Sequence, residues 1–123
     1  MSRSWLLYLD DLIDSGEKIG RFLAGRTFES FSLDEVVFGA VLFNLQIIGE
    51  AVKKLPTEAL AAMPKADISG PARLRDLIAL HYFAPDAEII REVATTHVPK
   101  MLAQAQKLRE QFAQNNPDED KAE

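Results

Sequence analysis

Apolar positions recur along this chain at three- and four-residue steps almost from end to end, the period of helices laid against a shared core. From Ser4 to Leu23 the residues Trp5, Leu9, Leu12, Ile13, Ile19 and Phe22 keep that step, and Gly25 stands where a helix would stop. Ser32-Leu33-Asp34-Glu35 has the spacing of a capping box, in which the serine and the glutamate each satisfy a free backbone N–H at a helix start. A second helix is expected from there to Pro56, with Val37, Val41, Leu45, Ile48, Val52 and Leu55 on its main apolar stripe. Its first half is apolar on nearly every side, as a central helix is.

A short helical turn is expected over Thr57 to Ala62, and MPKADISGP then reads as loop, punctuated by Pro64, Gly70 and Pro71. Pro71 suits the first position of another helix, which Pro85 closes after Ala84. Asp86 caps a long last helix that buries Ile89, Ile90, Val93, Val98, Met101, Leu102, Ala105, Leu108 and Phe112, with a kink expected at Pro99. The closing run NNPDEDKAE is polar and acidic, with nothing to bury. No strand alternation or internal repeat breaks the series. The expected fold class is therefore all-α, one helical domain over residues 1–114 followed by a disordered acidic tail at 115–123.

Composition narrows the classes of function. The 123 residues suffice for one core and not for two. Hydrophobic residues make up 47% and charged residues 27%, the balance of an ordinary soluble domain. Without cysteine there is neither a disulfide framework nor a thiolate metal site, which points to a cytoplasmic setting. Asp10 and Asp11 interrupt the apolar run Trp5 to Leu9 too early for a signal peptide. The longest uninterrupted apolar run, Val36 to Phe43, is far short of the ~20 residues of a membrane-spanning helix, so no membrane contact is expected. A net charge of −5 argues against a broad basic surface gripping nucleic acid, so any such contact must be local.

Candidate chemistry gathers in RDLIALHYF, Arg75 to Phe83, on the predicted fourth helix. Each helical step turns a side chain by about 100°, so a slip of one residue changes the face from which a group points. Relative to Leu74, the residues Leu77, Ile78 and His81 fall within about 60° on one apolar arc. Arg75 and Tyr82 lie two turns apart on nearly the same line, and Asp76 shares a row with Leu80. His81 thus has two readings, a core or interface histidine holding one hydrogen bond, or a catalytic base. Arg75 and Asp76 read either as a solvated pair near a helix start or as site residues. Tyr82 reads as a packing residue with a wet hydroxyl or as part of the site, and Leu80 as plain core.

The run NLQIIGEAVKKLP (Asn44 to Pro56), the proline-bearing loop after it and RDLIALHYF together resemble the HEPN superfamily, in particular its HepT-like toxins. The likeness extends from the first helix to about Leu108. It implies an up-and-down bundle of four to five helices that pairs about a two-fold axis as a homodimer, and a ribonuclease toxin that needs neither metal nor cofactor. The family signature is an arginine, four residues, a histidine, one residue and a tyrosine. On this chain it places the arginine at Arg75, the polar residue after it at Asp76 and the tyrosine at Tyr82, while the histidine position is held by Leu80. The wider superfamily accepts five intervening residues, which would make His81 the base. The helical wheel favours Leu80 as the histidine position, so this copy is expected to be silenced there, by experiment or by selection.

The resemblance further implies RNA as substrate and a small nucleotidyltransferase antitoxin of the MntA type as partner, which transfers AMP to Tyr82. Two other classes compete with a ribonuclease. One is a non-catalytic binding partner of a nucleotidyltransferase, which Leu80 makes more credible. The other is a metal-binding four-helix bundle, for which the Glu-x-x-His pairing is missing. His97, near Pro99, is expected at the surface or in a cap. Glu50 is left open between lining a cleft and pairing with a helix neighbour.

Overall fold

A computed structural model describes residues 4–62 and 86–115. All the regular structure among them is helical: α1 (Trp5–Leu23), α2 (Phe28–Ser32), α3 (Glu35–Lys54), α4 (Thr57–Ala61), α5 (Ala87–Glu92), a π-helical turn (Val93–His97) and α6 (Val98–Asn115). The all-α class is as expected. The predicted helix over Pro71 to Ala84 and residues 116–123 of the acidic tail lie outside the described residues, while Asn115, expected to open the tail, still belongs to α6.

The Ser4 hydroxyl accepts from the Leu6 N–H at 3.3 Å to start α1, which buries Leu6, Leu9, Leu12, Ser15, Gly16 and Ile19. Of the predicted stripe, Leu9, Leu12 and Ile19 enter the core and Trp5, Ile13 and Phe22 flank it, while Leu6 joins the core unpredicted. Gly25, with φ of +74°, takes the left-handed conformation that a side chain would resist and turns the chain out of α1.

The start of α3 differs from expectation. A short helix, α2, precedes it and has its own capping box: the Thr27 hydroxyl accepts from the Ser30 N–H at 3.1 Å, and the Ser30 hydroxyl from the Thr27 N–H at 3.0 Å. Ser32 falls in the last turn of α2, so its hydroxyl donates backward to the Glu29 carbonyl and caps nothing. The cap of α3 is Asp34, whose Oδ1 accepts from the Val36 and Val37 N–H groups at 3.1 and 3.2 Å. A carboxylate also suits the positive end of the helix dipole better than a hydroxyl does.

From there α3 buries Val41, Asn44, Leu45, Ile48, Gly49, Ala51 and Val52. It is long and apolar enough to match a membrane-crossing helix by length and composition, which counting uninterrupted runs did not reveal; 39% of that stretch is buried in this fold. Val41, Leu45, Ile48 and Val52 belong to the bundle's core.

The last helix begins as predicted, with Asp86 Oδ1 accepting from the Glu88 and Ile89 N–H groups. Where a kink at Pro99 was expected, the chain forms the π-helical turn Val93–His97, closed by the Val98 N–H donating to the Val93 carbonyl five residues back. Proline lacks an N–H, and its ring crowds the carbonyl four residues earlier, here that of Thr95. Widening the preceding turn by one residue relieves that crowding within a continuing helix.

Packing places α1 between its two long neighbours, α3 and α6. Both run antiparallel to it. Tyr8 and Asp11, early in α1, share a surface depression with Glu50 and Ala51, late in α3. Likewise the Trp5 ring meets Phe112 edge-on at 5.4 Å, and the Arg109 guanidinium donates to Asp10 at 2.8 Å. At Gly16 α1 lies close against α6, since a Cβ there would lie 3.2 Å from Leu102 Cδ1.

Candidate functional site

The five residues in which the sequence concentrates chemistry, Arg75, Asp76, Leu80, His81 and Tyr82, lie outside the described residues. What the structure does place is the scaffold on either side of them, α3 and α4 before and α5 after, together with the segment Asn44 to Pro56 that carries the other half of the resemblance.

Helical geometry divides that segment into two faces. Asn44, Leu45, Ile48, Gly49, Ala51, Val52 and Leu55 turn inward, while Glu50, Lys53 and Lys54 turn outward. The inward asparagine is only 5% exposed, and its Nδ2 donates to the Ala40 carbonyl at 2.8 Å, one turn back on its own helix. That bond satisfies a donor which burial would otherwise strand. Gly49 is buried beside it, so much of this segment serves the bundle's interior.

Glu50, left open by the sequence, is exposed and forms no ion pair among the described residues. It lines a depression of about 370 Å³ between α1 and α3, together with Tyr8, Asp11, Phe43, Gln46, Ile47 and Ala51. Tyr8 and Asp11 were not candidates from the sequence. Only the antiparallel packing of α1 on α3 brings them to Glu50 across some forty residues of chain.

A second depression, of about 410 Å³, lies where α2 meets α5 and the π-helical turn, lined by Phe28, Glu88, Arg91, Glu92, Thr95 and Thr96. The Arg91 guanidinium sits 5.7 Å from the centroid of the Phe28 ring, a cation–π contact joining the short helix to the last one. The Thr95 hydroxyl donates to the Arg91 carbonyl at 2.8 Å. His97 is half-buried at the end of the π-helical turn.

Electrostatics limits what these depressions can hold. Asp11 and Glu50 line one, and Glu88 and Glu92 flank Arg91 in the other, so carboxylates outnumber cations in both linings. Neither contains a histidine. Among the described residues no group of three or more His, Cys, Asp or Glu side chains is placed to hold a metal ion.

Comparison with known proteins completes the picture. The family profile described as "Ribonuclease HepT-like" matches residues 12–108. A Thermococcus cleftensis protein named "Probable ribonuclease HepT" is 32% identical over 109 residues, which cover 89% of this chain and 99% of that protein. A Methanocaldococcus jannaschii protein named as a candidate RNase is 34% identical over 101 residues, 82% of this chain and 84% of its own length. A further candidate RNase, from Caldanaerobacter subterraneus, is 32% identical over 101 residues, 82% of this chain and 90% of its own length. No solved structure is a significant match to the chain.

Proposed function

Because the chain belongs to the HepT-like ribonuclease family, we propose that it is a ribonuclease of the HEPN type that cuts RNA without a metal, and that Leu80 disarms this copy. The family match across residues 12–108 carries the reading, and Arg75 and Tyr82 stand at the family's spacing within it.

Such a cut needs two groups. A base withdraws the proton of a 2′-hydroxyl, whose oxygen then attacks the adjacent phosphorus, and a cation stabilises the charge that develops on the phosphate oxygens. Arginine serves the second purpose, since its planar fork matches two phosphate oxygens and stays charged, and Arg75 takes that role. Histidine serves the first because its unperturbed pKa of about 6.5 lets it take and return a proton near neutrality. Leucine has no lone pair, so with Leu80 at the base position the attack goes unassisted. Asp76 and Tyr82 complete the constellation. Pairing two copies about a two-fold axis doubles the local positive charge, which is how a chain of net charge −5 holds RNA.

The test is RNA cleavage by the chain as it stands and by Leu80→His. The reverted form should cut about 10²–10⁴ times faster, the usual contribution of a positioned base. Equal and measurable cleavage by both, with His81 present in each, would assign the base to His81 and refute the register.

In the same reading this is the toxin of a cytoplasmic toxin–antitoxin pair, held in check by a nucleotidyltransferase that moves AMP onto Tyr82. An adenylate there adds bulk and negative charge beside Arg75 and repels RNA. Mass spectrometry after co-expression with the cognate transferase should find the added nucleotide on Tyr82; an unmodified tyrosine in the presence of ATP would end that part of the proposal. Leu80 also supports a second reading, a non-catalytic binding partner of the transferase, which tight transferase binding and an inactive Leu80→His form would favour.

A further inference from the structure

The depression of about 370 Å³ between α1 and α3 has walls of two kinds. Tyr8, Phe43, Ile47 and Ala51 are aromatic or apolar, while Asp11, Gln46 and Glu50 are acidic or polar. Phe43 is 62% exposed and stands outside the core, so the packing of the bundle does not account for a phenyl ring there. Phe43, Ile47 and Glu50 follow one another at four- and three-residue steps, which sets them in a line of about 10 Å along α3. Because α1 runs antiparallel to α3, Tyr8 lies towards the Glu50 end of that line and Asp11 towards the Phe43 end. Each end thus offers one carboxylate and one ring. No described lysine, arginine or histidine lines the depression. The described ion pairs lie elsewhere, with Lys18 on Asp14, Arg26 on Asp34 and Arg109 on Asp10.

These walls select the occupant. An anion meets both carboxylates with the wrong sign. A neutral apolar molecule would cover a carboxylate without giving it a partner, which opposes the gain from apolar contact. A bare divalent cation asks for about six or more oxygen ligands, and half of this lining is carbon. An aliphatic ammonium suits both walls, since its methylenes pack on Ile47 and Ala51 while its charge is drawn to carboxylates and ring faces alike. The volume is at the small end of the range of about 300–1,000 Å³ for ligand sites, so the occupant is a short chain.

We propose that this depression binds a free linear diamine or polyamine, with one ammonium group between Glu50 and the Tyr8 ring and another between Asp11 and the Phe43 ring. A carboxylate has about four acceptor positions, so Asp11 takes the ammonium beside its other contacts. A lysine or arginine side chain from another protein has the same chemistry but one charge, and would fill only one of the two ends.

Calorimetric titration of the full chain with spermidine at physiological salt should show saturable binding at one site per chain. Butylamine, with a single charge, should bind at least about 10-fold more weakly. Glu50→Gln should weaken spermidine about 10-fold or more, and Phe43→Leu about 2–5-fold, as loss of a charge-assisted bond and of a ring face does. Glu17→Gln, at an exposed position on the outer side of α1, removes the same charge and should leave the affinity unchanged. That control separates a built site from the general pull of a chain of net charge −5 on any polycation. Far-UV circular dichroism should be the same for all three variants, since Phe43, Glu50 and Glu17 lie outside the core.

Butylamine binding as tightly as spermidine would give the depression to a single cationic side chain of a partner protein and overturn the proposal. Heat that never saturates would do so too, as would an affinity untouched by Glu50→Gln or lowered equally by Glu17→Gln. None of these results bears on RNA cleavage by Leu80→His, so the ribonuclease reading stands or falls separately.

Discussion

The packed helices α1 and α3 divide their surfaces in opposite ways. α1 buries Leu6, Leu9, Leu12 and Ile19, while on its outer side Asp14 and Lys18 pair at 2.9 Å one turn apart, with Glu17 and Arg21 exposed nearby. Its apolar stripe is as wide as its partners require. α3 buries Val41, Leu45, Ile48 and Val52 in the same core, yet keeps Val36 and Phe43 at the surface and carries no charge from Val36 to Gly49. The contrast teaches that a fully apolar helix need not be fully covered by its own chain.

Truncation separates the two halves of α3 with the largest effect. Leu45 is fully buried, and Leu45→Ala should cost about 2–5 kcal/mol through lost transfer energy and the cavity left behind. Val36→Ala, at the surface, should leave the fold of a single copy within about 0.5 kcal/mol of its original stability. Urea unfolding at two protein concentrations reads both. The Leu45→Ala midpoint should fall at each concentration. Val36→Ala should leave it nearly unchanged at each. Equal losses at both concentrations would mean that Val36 belongs to the core, and the contrast between the helices would vanish.

Periodicity made the long elements legible. The three-and-four step and its punctuation by Gly25, Pro56 and Asp86 place α1, α3 and the start of the last helix, because burying one stripe is what those residues have to do. α2 was not legible, since five residues make too short a stretch to show a period, and its capping pair Thr27 and Ser30 has no glutamate to mark it. Its presence moved Ser32 from a cap into a helix end. The π-helical turn was visible only as Pro99, because a proline signals trouble in the helix without saying whether a kink or a wider turn resolves it. Of the candidate site, the family was recognisable by resemblance, and the profile match over residues 12–108 agrees with it, while RDLIALHYF lies outside the described residues. The depression that joins Tyr8 and Asp11 to Glu50 was not, because no local pattern links residues brought together only by packing.

Helix starts offer a finer version of the same contrast. At α1 a neutral hydroxyl makes one bond, Ser4 accepting from Leu6 N–H at 3.3 Å. At α3 a carboxylate accepts two, from Val36 and Val37, while its other oxygen takes the Arg26 guanidinium at 3.3 Å. The Arg26 pair adds little, since both groups are partly exposed and surface ion pairs contribute about 0–1 kcal/mol. The cap itself is the larger contribution. Asp34→Ala should therefore cost about 1–2 kcal/mol and Ser4→Ala about 0.5–1 kcal/mol, both read as shifts in unfolding midpoint. Ser32→Ala should cost least of the three, because its hydroxyl only returns to the Glu29 carbonyl within α2. If Ser32→Ala proved as damaging as Asp34→Ala, the capping box suggested by Ser32 and Glu35 would be the true start of α3, and the chain would have to leave α2 one turn earlier than this fold allows.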